Sequence, residues 1–202
     1  PPRLAPSSKR HLIAAAGGAL AGALAAAALL HPAGQPGVII ASAVLCAAIA
    51  AITLEDALRF RVPDPWVYGA LLSGVAWTFA VRLRSGEGGL VAGGAVLIAV
   101  VVCGGAFLAV REVFFRLRGI DGLGLGDVKL AAAGGAWLGW EAIPVAVLMA
   151  AAGALAFVGT QALTGKVRRA EGWSAGKRIA FGAFLAPAIW GTWLMLQGVA
   201  EV

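Results

Sequence analysis

Long apolar stretches follow one another along this chain of 202 residues, separated by short connections rich in glycine, proline and charge. The stretches cover residues 12–30, 37–54, 66–81, 90–110, 128–140, 143–163 and 179–198. Most approach the roughly 20 residues that a helix needs to cross about 30 Å of hydrocarbon. They are too continuous for the alternating pattern of a transmembrane barrel, and lipid cannot satisfy an open sheet edge. The sequence therefore predicts an all-α, polytopic membrane protein with about seven transmembrane helices.

The composition supports a membrane protein and excludes several other classes. Only 13% of the residues are charged, whereas a soluble domain carries about 25%, and the mean hydropathy is +0.88. Disordered, collagenous and disulfide-scaffold proteins do not have this composition. We expect one membrane domain over residues 1–202, with a lipid bilayer as its surroundings. The net charge of +6 comes from basic residues spread over short loops, so nucleic acid is not an expected partner.

The positions of the basic residues predict how the chain is oriented. Of its 16 Lys and Arg residues, all except Arg82 and Arg84 fall on one side when the seven runs alternate. The positive-inside rule then places the N-terminus in the cytoplasm. The run 128–140 must also cross, although its 13 residues form only about 20 Å of helix. The run 12–30 could instead be a cleavable signal peptide, but its length favours a membrane span.

Two aspartates stand at the predicted cytoplasmic ends of different apolar runs. Asp56 follows the second run and Asp127 precedes the fifth. A carboxylate beside hydrocarbon is costly to ionise, so such a residue is a candidate functional group. Simpler roles remain open at this point. Asp127 could be only a helix N-cap, and Asp56 could be an interfacial charge paired with Arg59 or Arg61.

Two features around these aspartates refine the picture. Asp64 precedes Pro65 and an apolar run, which is typical of a helix N-cap followed by proline at the first helical position. Gly122, Gly124 and Gly126 alternate in front of Asp127. Missing Cβ atoms allow another backbone to approach closely, and a simple cap does not need them. The glycines therefore favour a functional role for this segment.

The motif that includes Asp127 resembles a signature of the type IV prepilin leader peptidases, membrane aspartic proteases of the GxGD class. It reads Gly-Leu-Gly-Asp-Val-Lys-Leu over residues 124–130 and continues with Ala-Ala-Ala-Gly-Gly-Ala-Trp-Leu-Gly-Trp to position 140. Asp56, with Pro63 and Asp64 seven and eight positions on, resembles the second signature of these enzymes. Residues 179–186 resemble a segment near their end. The resemblance covers about residues 40–190, the expected peptidase-like core.

This resemblance implies an aspartic endopeptidase in which Asp56 and Asp127 form the catalytic pair without a cofactor or metal ion. Gly124 and Gly126 would leave room for an extended substrate backbone. Lys129 could attract a substrate carboxylate or simply extend to the membrane interface. The implied substrates are prepilins or pseudopilins of type IV pilus and secretion systems, with a short basic leader that ends in glycine. The implied location is the bacterial inner membrane, with the site facing the cytoplasm.

The chain departs from the family pattern in two respects. Ala180 and Ala183 occupy positions where many relatives carry proline. Larger bifunctional members also have a cytoplasmic domain with two CxxC pairs, whereas Cys46 and Cys103 have no partner at that spacing. The chain therefore resembles the short, peptidase-only form of tight-adherence pilus systems, and N-methyltransferase activity is not expected.

Two other functions remain as alternatives. Intramembrane acids could serve a small ion-coupled or proton-coupled transporter, although both acids here lie at one predicted face. The chain could also be a non-catalytic scaffold of a pilus assembly machine. Both alternatives predict that proteolysis does not depend on Asp56 or Asp127.

Overall fold

The fold is described here from a computed structural model that covers residues 36–59, 61–119, 122–163 and 180–199. Its regular structure in these ranges is entirely helical, without strands. The helices are α1 (Pro36–Arg59), α2 (Asp64–Arg84), α3 (Gly89–Arg118), α4 (Leu125–Leu163) and α5 (Gly182–Val199). The predicted all-α class is confirmed.

Four of these helices, α1 to α4, are long and apolar enough to cross a membrane, judged by length and composition. Large apolar side chains project outward from them, including Leu72, Leu97 and Leu148, which are 68%, 63% and 70% exposed. Such a surface is suited to lipid and not to water. The chain is thus a multi-pass membrane protein. The run 12–30 lies outside the described residues, so the count of seven crossings and the N-terminal orientation stay predictions.

Helix α4 is interrupted at Gly139, where φ is 75° and ψ is 168°. This backbone conformation is essentially restricted to glycine. The interruption divides α4 into a first half, residues 125–138, and a second half, residues 140–163. A Cβ atom on Gly134 would lie 2.8 Å from the end of the Ile143 side chain. In a straight helix these residues would be about 13 Å apart along the axis, so the chain turns back at Gly139.

Contacts with α5 give the direction of each half of α4. Along the first half, Gly134 packs against Ile189, and further on Trp137 packs against Trp193, so the two run parallel. Along the second half, Met149 meets Thr192. Further along that half, Phe157 meets Phe184, so this half runs antiparallel to α5. The apolar runs 128–140 and 143–163 therefore run in opposite directions, as predicted for two consecutive crossings.

Indole rings fill the centre of the bundle. Trp193 is 1% exposed and meets Trp77 and Trp137 edge to face, with ring centroids 6.5 and 5.7 Å away. The indole N–H of Trp137 donates to the carbonyl oxygen of Ala70 at 2.7 Å. Gly74 lies against the same indole, where a Cβ atom would come within 2.5 Å. Aromatic pairs in this geometry add to the energy of burial and fix the contact between α2, α4 and α5.

The order and direction of the helices bring several helix termini together at one end of the bundle. These include the C-terminal ends of α1 and α3 and the N-terminal ends of α2, α4 and α5. Asp56 and Asp127 both lie at this end, so residues from separate parts of the chain can form one site there.

Candidate active site

The two aspartates singled out in the sequence are both buried. Asp56 lies in the last turn of α1 and is 5% exposed, and Asp127 lies in the first turn of α4 and is 8% exposed. Charged groups are rarely buried to this degree without partners. Their surroundings therefore decide what the pair can do.

The two carboxylates converge on Gly182, the first residue of α5. A Cβ atom built on Gly182 would lie 2.9 Å from Oδ2 of Asp56 and 3.0 Å from Oδ1 of Asp127. Because each carboxylate oxygen lies 3.0 Å or less from this Cβ position, the two oxygen atoms are at most about 6 Å apart. A water molecule between them could hydrogen-bond to both. Only glycine leaves this space open.

The start of α5 also holds Asp56 in place. The backbone N–H of Ala183 donates to Oδ2 of Asp56 at 2.8 Å. This N–H belongs to the first turn of α5, where backbone donors have no partner within the helix. The same N–H also donates to the carbonyl oxygen of Ala180 at 3.2 Å, so the donor is shared, and its shorter bond orients the Asp56 carboxylate.

The glycine-rich segment before α4 positions Asp127. The N–H of Asp127 donates to the carbonyl oxygen of Gly124 at 3.1 Å, and Oδ2 of Asp127 lies 3.4 Å from the position of a Cβ atom on Gly124. Gly126 lies against Val62, where a Cβ atom would come within 2.6 Å of the Cβ of Val62. Another part of the chain does approach these glycines closely, as expected. At Gly126 that part is the connection between α1 and α2.

The structure does not support the simpler roles of the two aspartates. Arg59 forms its ion pair with Glu55, at 3.3 Å, and not with Asp56. Arg61 lines the same cavity as Asp56. Helix α4 begins at Leu125, so Asp127 lies inside the first turn and not at the N-cap position. A pairing with Arg59 and a simple cap are therefore both wrong for these residues.

Lys129 and Asp64 form an ion pair that the local sequence did not predict. Nζ of Lys129 donates to Oδ1 of Asp64 at 2.6 Å and lies 5.4 Å from the centroid of the Tyr68 ring. The N-cap of α2 is Pro63, without a side-chain capping bond, and Asp64 is the first helical residue. The N-cap prediction for Asp64 is therefore wrong. Its carboxylate links α2 to α4.

A cavity of about 440 Å³ opens beside the carboxylates. Its charged lining consists of Asp56, Asp64, Asp127, Arg61 and Arg111. The remaining lining includes the glycine-rich segment 122–126 and residues 180–181. Within the described ranges, no three His, Cys, Asp or Glu side chains cluster in a way that could hold a metal ion. The cavity offers two buried carboxylates at the end of an apolar bundle, open to a chain that approaches from that end.

Sequence reasoning missed three residues of this site: Val62, Gly182 and Ala183. Gly182 and Ala183 lie in the segment 179–186, whose resemblance to the family was noticed without a role for either residue. Val62 lies inside the signature that begins at Asp56, directly before Pro63. Their positions beside the carboxylates depend on contacts between distant parts of the chain.

Comparisons with known proteins identify the family of the chain. Residues 43–159 match the model of the type IV leader peptidase family. The chain is 37% identical over 168 residues to the prepilin leader peptidase/N-methyltransferase of Burkholderia pseudomallei (strain 1026b), covering 82% of this chain and 49% of that protein. It is 33% identical over 156 residues to a protein of the same name from Aeromonas hydrophila, covering 75% and 48%.

A third relative of that name, from Dickeya chrysanthemi, is 38% identical over 124 residues, covering 57% of this chain and 39% of the relative. No solved structure matches the chain significantly. The chain spans about half the length of the curated relatives that it matches most extensively. The matched segment contains both buried aspartates and more than half of the chain. The chain therefore belongs to the type IV leader peptidase family.

Proposed function

We propose that this protein is a membrane aspartic endopeptidase that removes the leader peptide from type IV prepilins or similar precursors. Asp56 and Asp127 are the catalytic pair in this proposal. The observation that carries it is the convergence of the two buried carboxylates on Gly182, with an oxygen of each within 3.0 Å of one point. Family membership supports the same reaction, since the relatives are named as prepilin leader peptidases.

The spacing of the carboxylates supports a shared proton. At about 6 Å or less and an effective dielectric constant of about 20, two ionised carboxylates repel each other by about 3 kcal/mol or more. The pair avoids this cost by holding one proton between its members. Proton uptake then belongs to the pair as a whole and not to Asp56 or Asp127 alone.

The proposed reaction uses the two members in opposite roles. The ionised carboxylate takes a proton from a water molecule, whose oxygen attacks the carbonyl carbon of the scissile peptide bond. The protonated carboxyl group stabilises the oxygen that becomes negative and then gives its proton to the leaving amine as the C–N bond breaks. The pair ends with one proton, as it began, so the cycle can repeat.

The hydrogen bonds around the pair hold both carboxyl groups in the positions that these two roles require. Asp56 accepts the backbone N–H of Ala183 at 2.8 Å, which fixes the direction of one carboxylate. Asp127 is placed by the turn from Gly124 into α4, with its N–H bonded to the Gly124 carbonyl oxygen. Groups that are held before the substrate arrives do not have to reorganise during the reaction.

The distribution of charge supports a cytoplasmic site in the bacterial inner membrane. Among the described residues, the helix ends around the carboxylates carry Arg59, Arg61, Arg111, Arg116, Arg118 and Lys129. The opposite ends carry Arg82 and Arg84. By the positive-inside rule the end with the carboxylates faces the cytoplasm. A precursor anchored by an apolar helix would present a bond near the cytoplasmic end of that helix to this site.

The glycines before Asp127 and the Lys129 side chain bear on how a substrate binds. Gly124 and Gly126 stay the proposed floor for an extended substrate backbone, because both lack side chains next to Asp127. Lys129 is bonded to Asp64, so a substrate carboxylate would have to compete with that pair. The proposal concerns the peptidase reaction, which is one of the two activities in the names of the relatives.

Processing of a pilin precursor by the purified protein tests this proposal. The full chain is reconstituted in liposomes with a precursor that carries a basic leader, and the products are identified by mass spectrometry. We expect a single cut that separates the leader from the apolar helix. An intact precursor after prolonged incubation with correctly reconstituted protein would contradict the proposal.

A further inference from the structure

Val62 lines the same cavity as the paired carboxylates. It belongs to the short connection between α1 and α2 and is partly buried. Its Cβ would meet a Cβ atom on Gly126 at 2.6 Å, and its Cγ2 would meet one on Gly182 at 3.1 Å. Val62 therefore lies between two glycines. Gly126 adjoins Asp127, and Gly182 adjoins both Asp56 and Asp127.

The same point on Gly182 relates Val62 to the reacting atoms. That point lies 2.9 Å from Oδ2 of Asp56, 3.0 Å from Oδ1 of Asp127 and 3.1 Å from Cγ2 of Val62. A methyl group of Val62 thus stands beside the space where the proposed water and the scissile carbonyl meet. A substrate chain that enters this space must pass along the Val62 side chain.

Val62 is also poorly able to move aside. Its β-branched side chain has few accessible rotamers, and from one position it occupies the space in which a Cβ atom of Gly126 or Gly182 would lie. Lys129 binds Asp64, two residues further along, at 2.6 Å, and this bond ties the end of the same connection to α4. Both contacts support the position of Val62 beside Asp127.

We propose that Val62 determines substrate specificity by limiting the size of the residue beside the scissile bond. This inference rests on the proposed peptidase function. It names the residue that limits the size of the substrate side chain next to the scissile bond. A glycine in the substrate passes Val62 without contact, whereas a Cβ atom at that position meets its methyl groups. Val62 takes no part in proton transfer. It acts by excluding substrates with a larger side chain at this position from the carboxylates.

The test compares precursors that differ by one methyl group. One precursor has glycine on both sides of the cleaved bond, and two others carry alanine before or after it. Each is processed by the wild-type full chain and by Val62→Ala, and the ratio of kcat/KM for alanine over glycine is taken within each enzyme. We expect Val62→Ala to raise this ratio about tenfold or more for one of the two alanine precursors. A ratio within one enzyme does not depend on the amount of folded protein.

Val113→Ala serves as the matched control, because Val113 is 55% exposed on α3 and should leave every ratio unchanged. Should Val62→Ala fail to fold, Val62→Cys removes less volume and should raise the ratio by a smaller factor. Unchanged ratios, together with normal cleavage of the glycine precursor, would overturn the inference and leave the proposed function intact. Failure of the wild-type protein to cleave any precursor would overturn both.

Discussion

The backbone N–H of Ala183 donates to Oδ2 of Asp56 at 2.8 Å, and this hydrogen bond joins residues 127 positions apart in the chain. It connects the N-terminal turn of α5 to the C-terminal turn of α1. The site therefore depends on three helices, although only α1 and α4 carry the two aspartates. Residues at the start of α5 should affect activity without carrying any reacting group.

Gly182→Ala tests the dependence on α5. The added Cβ atom would lie about 3 Å from an oxygen of each carboxylate, so the pair must separate or turn. We expect kcat to fall about 100-fold, a loss that a displacement of catalytic groups by about 1 Å can cause. Precursor cleavage measured beside the thermal unfolding of the same preparation separates this effect from loss of fold.

Gly159→Ala is the matched control for that substitution. Gly159 lies in the second half of α4, and a Cβ atom there would have nothing within 4 Å. This variant should cleave at the wild-type rate. Wild-type activity in Gly182→Ala would show that the space between the carboxylates is not needed for catalysis.

Gly126→Val should abolish most cleavage while the protein still inserts into the membrane. The new side chain would clash with Val62, whose Cβ lies 2.6 Å from the position of the added Cβ. The smaller change Gly126→Ala meets the same obstacle, and overpacking of this kind costs about 1–3 kcal/mol. Adding Val62→Ala to Gly126→Ala should therefore restore part of the lost activity. Strictly additive losses in the double variant would argue against the contact.

Lys129→Gln and Asp64→Asn should have similar effects, because each removes the same ion pair between α4 and α2. The double variant should then behave like either single variant, since neighbouring residues that share one interaction are not additive. The measurement is KM and kcat for one precursor in all three variants. A rise in KM confined to Lys129→Gln would instead assign Lys129 to a substrate carboxylate.

Gly139→Ala should destabilise the protein more than it affects the chemistry. The positive φ of 75° with ψ of 168° costs a residue other than glycine about 1–3 kcal/mol. Thermal unfolding in detergent should show a lower midpoint than for the wild type. Gly94→Ala is the comparison, because a Cβ atom there has nothing within 4 Å. Equal midpoints for the two variants would indicate that the reversal within α4 does not need glycine.

The parts of the fold that the sequence predicted correctly depend on local patterns. Continuous apolar runs predicted the helices, and the opposite directions of the runs 128–140 and 143–163 came from the sidedness of basic residues. The alternation of successive runs predicted that Asp56 and Asp127 lie at one end of the bundle. The resemblance to a known family added their pairing, which periodicity alone does not supply.

The parts that were missed or wrong depend on contacts between distant residues. Asp64 has the sequence context of an N-cap, but Lys129, 65 positions away, binds its carboxylate. Gly182 has no acidic residue near it in sequence, so nothing local marks it as the point where two carboxylates meet. Val62 likewise looks like an ordinary loop residue until α4 and α5 are packed around it.

Leader cleavage by Asp56→Asn and Asp127→Asn, measured beside the wild type in the same membranes, tests the central claim most directly. Glu112→Gln is the control, because it makes the same change from acid to amide at an exposed ion pair with Arg116. We predict that both asparagine variants insert normally and leave the precursor intact, while Glu112→Gln and the wild type cleave it. Cleavage that survives in either asparagine variant would contradict the paired-carboxylate mechanism.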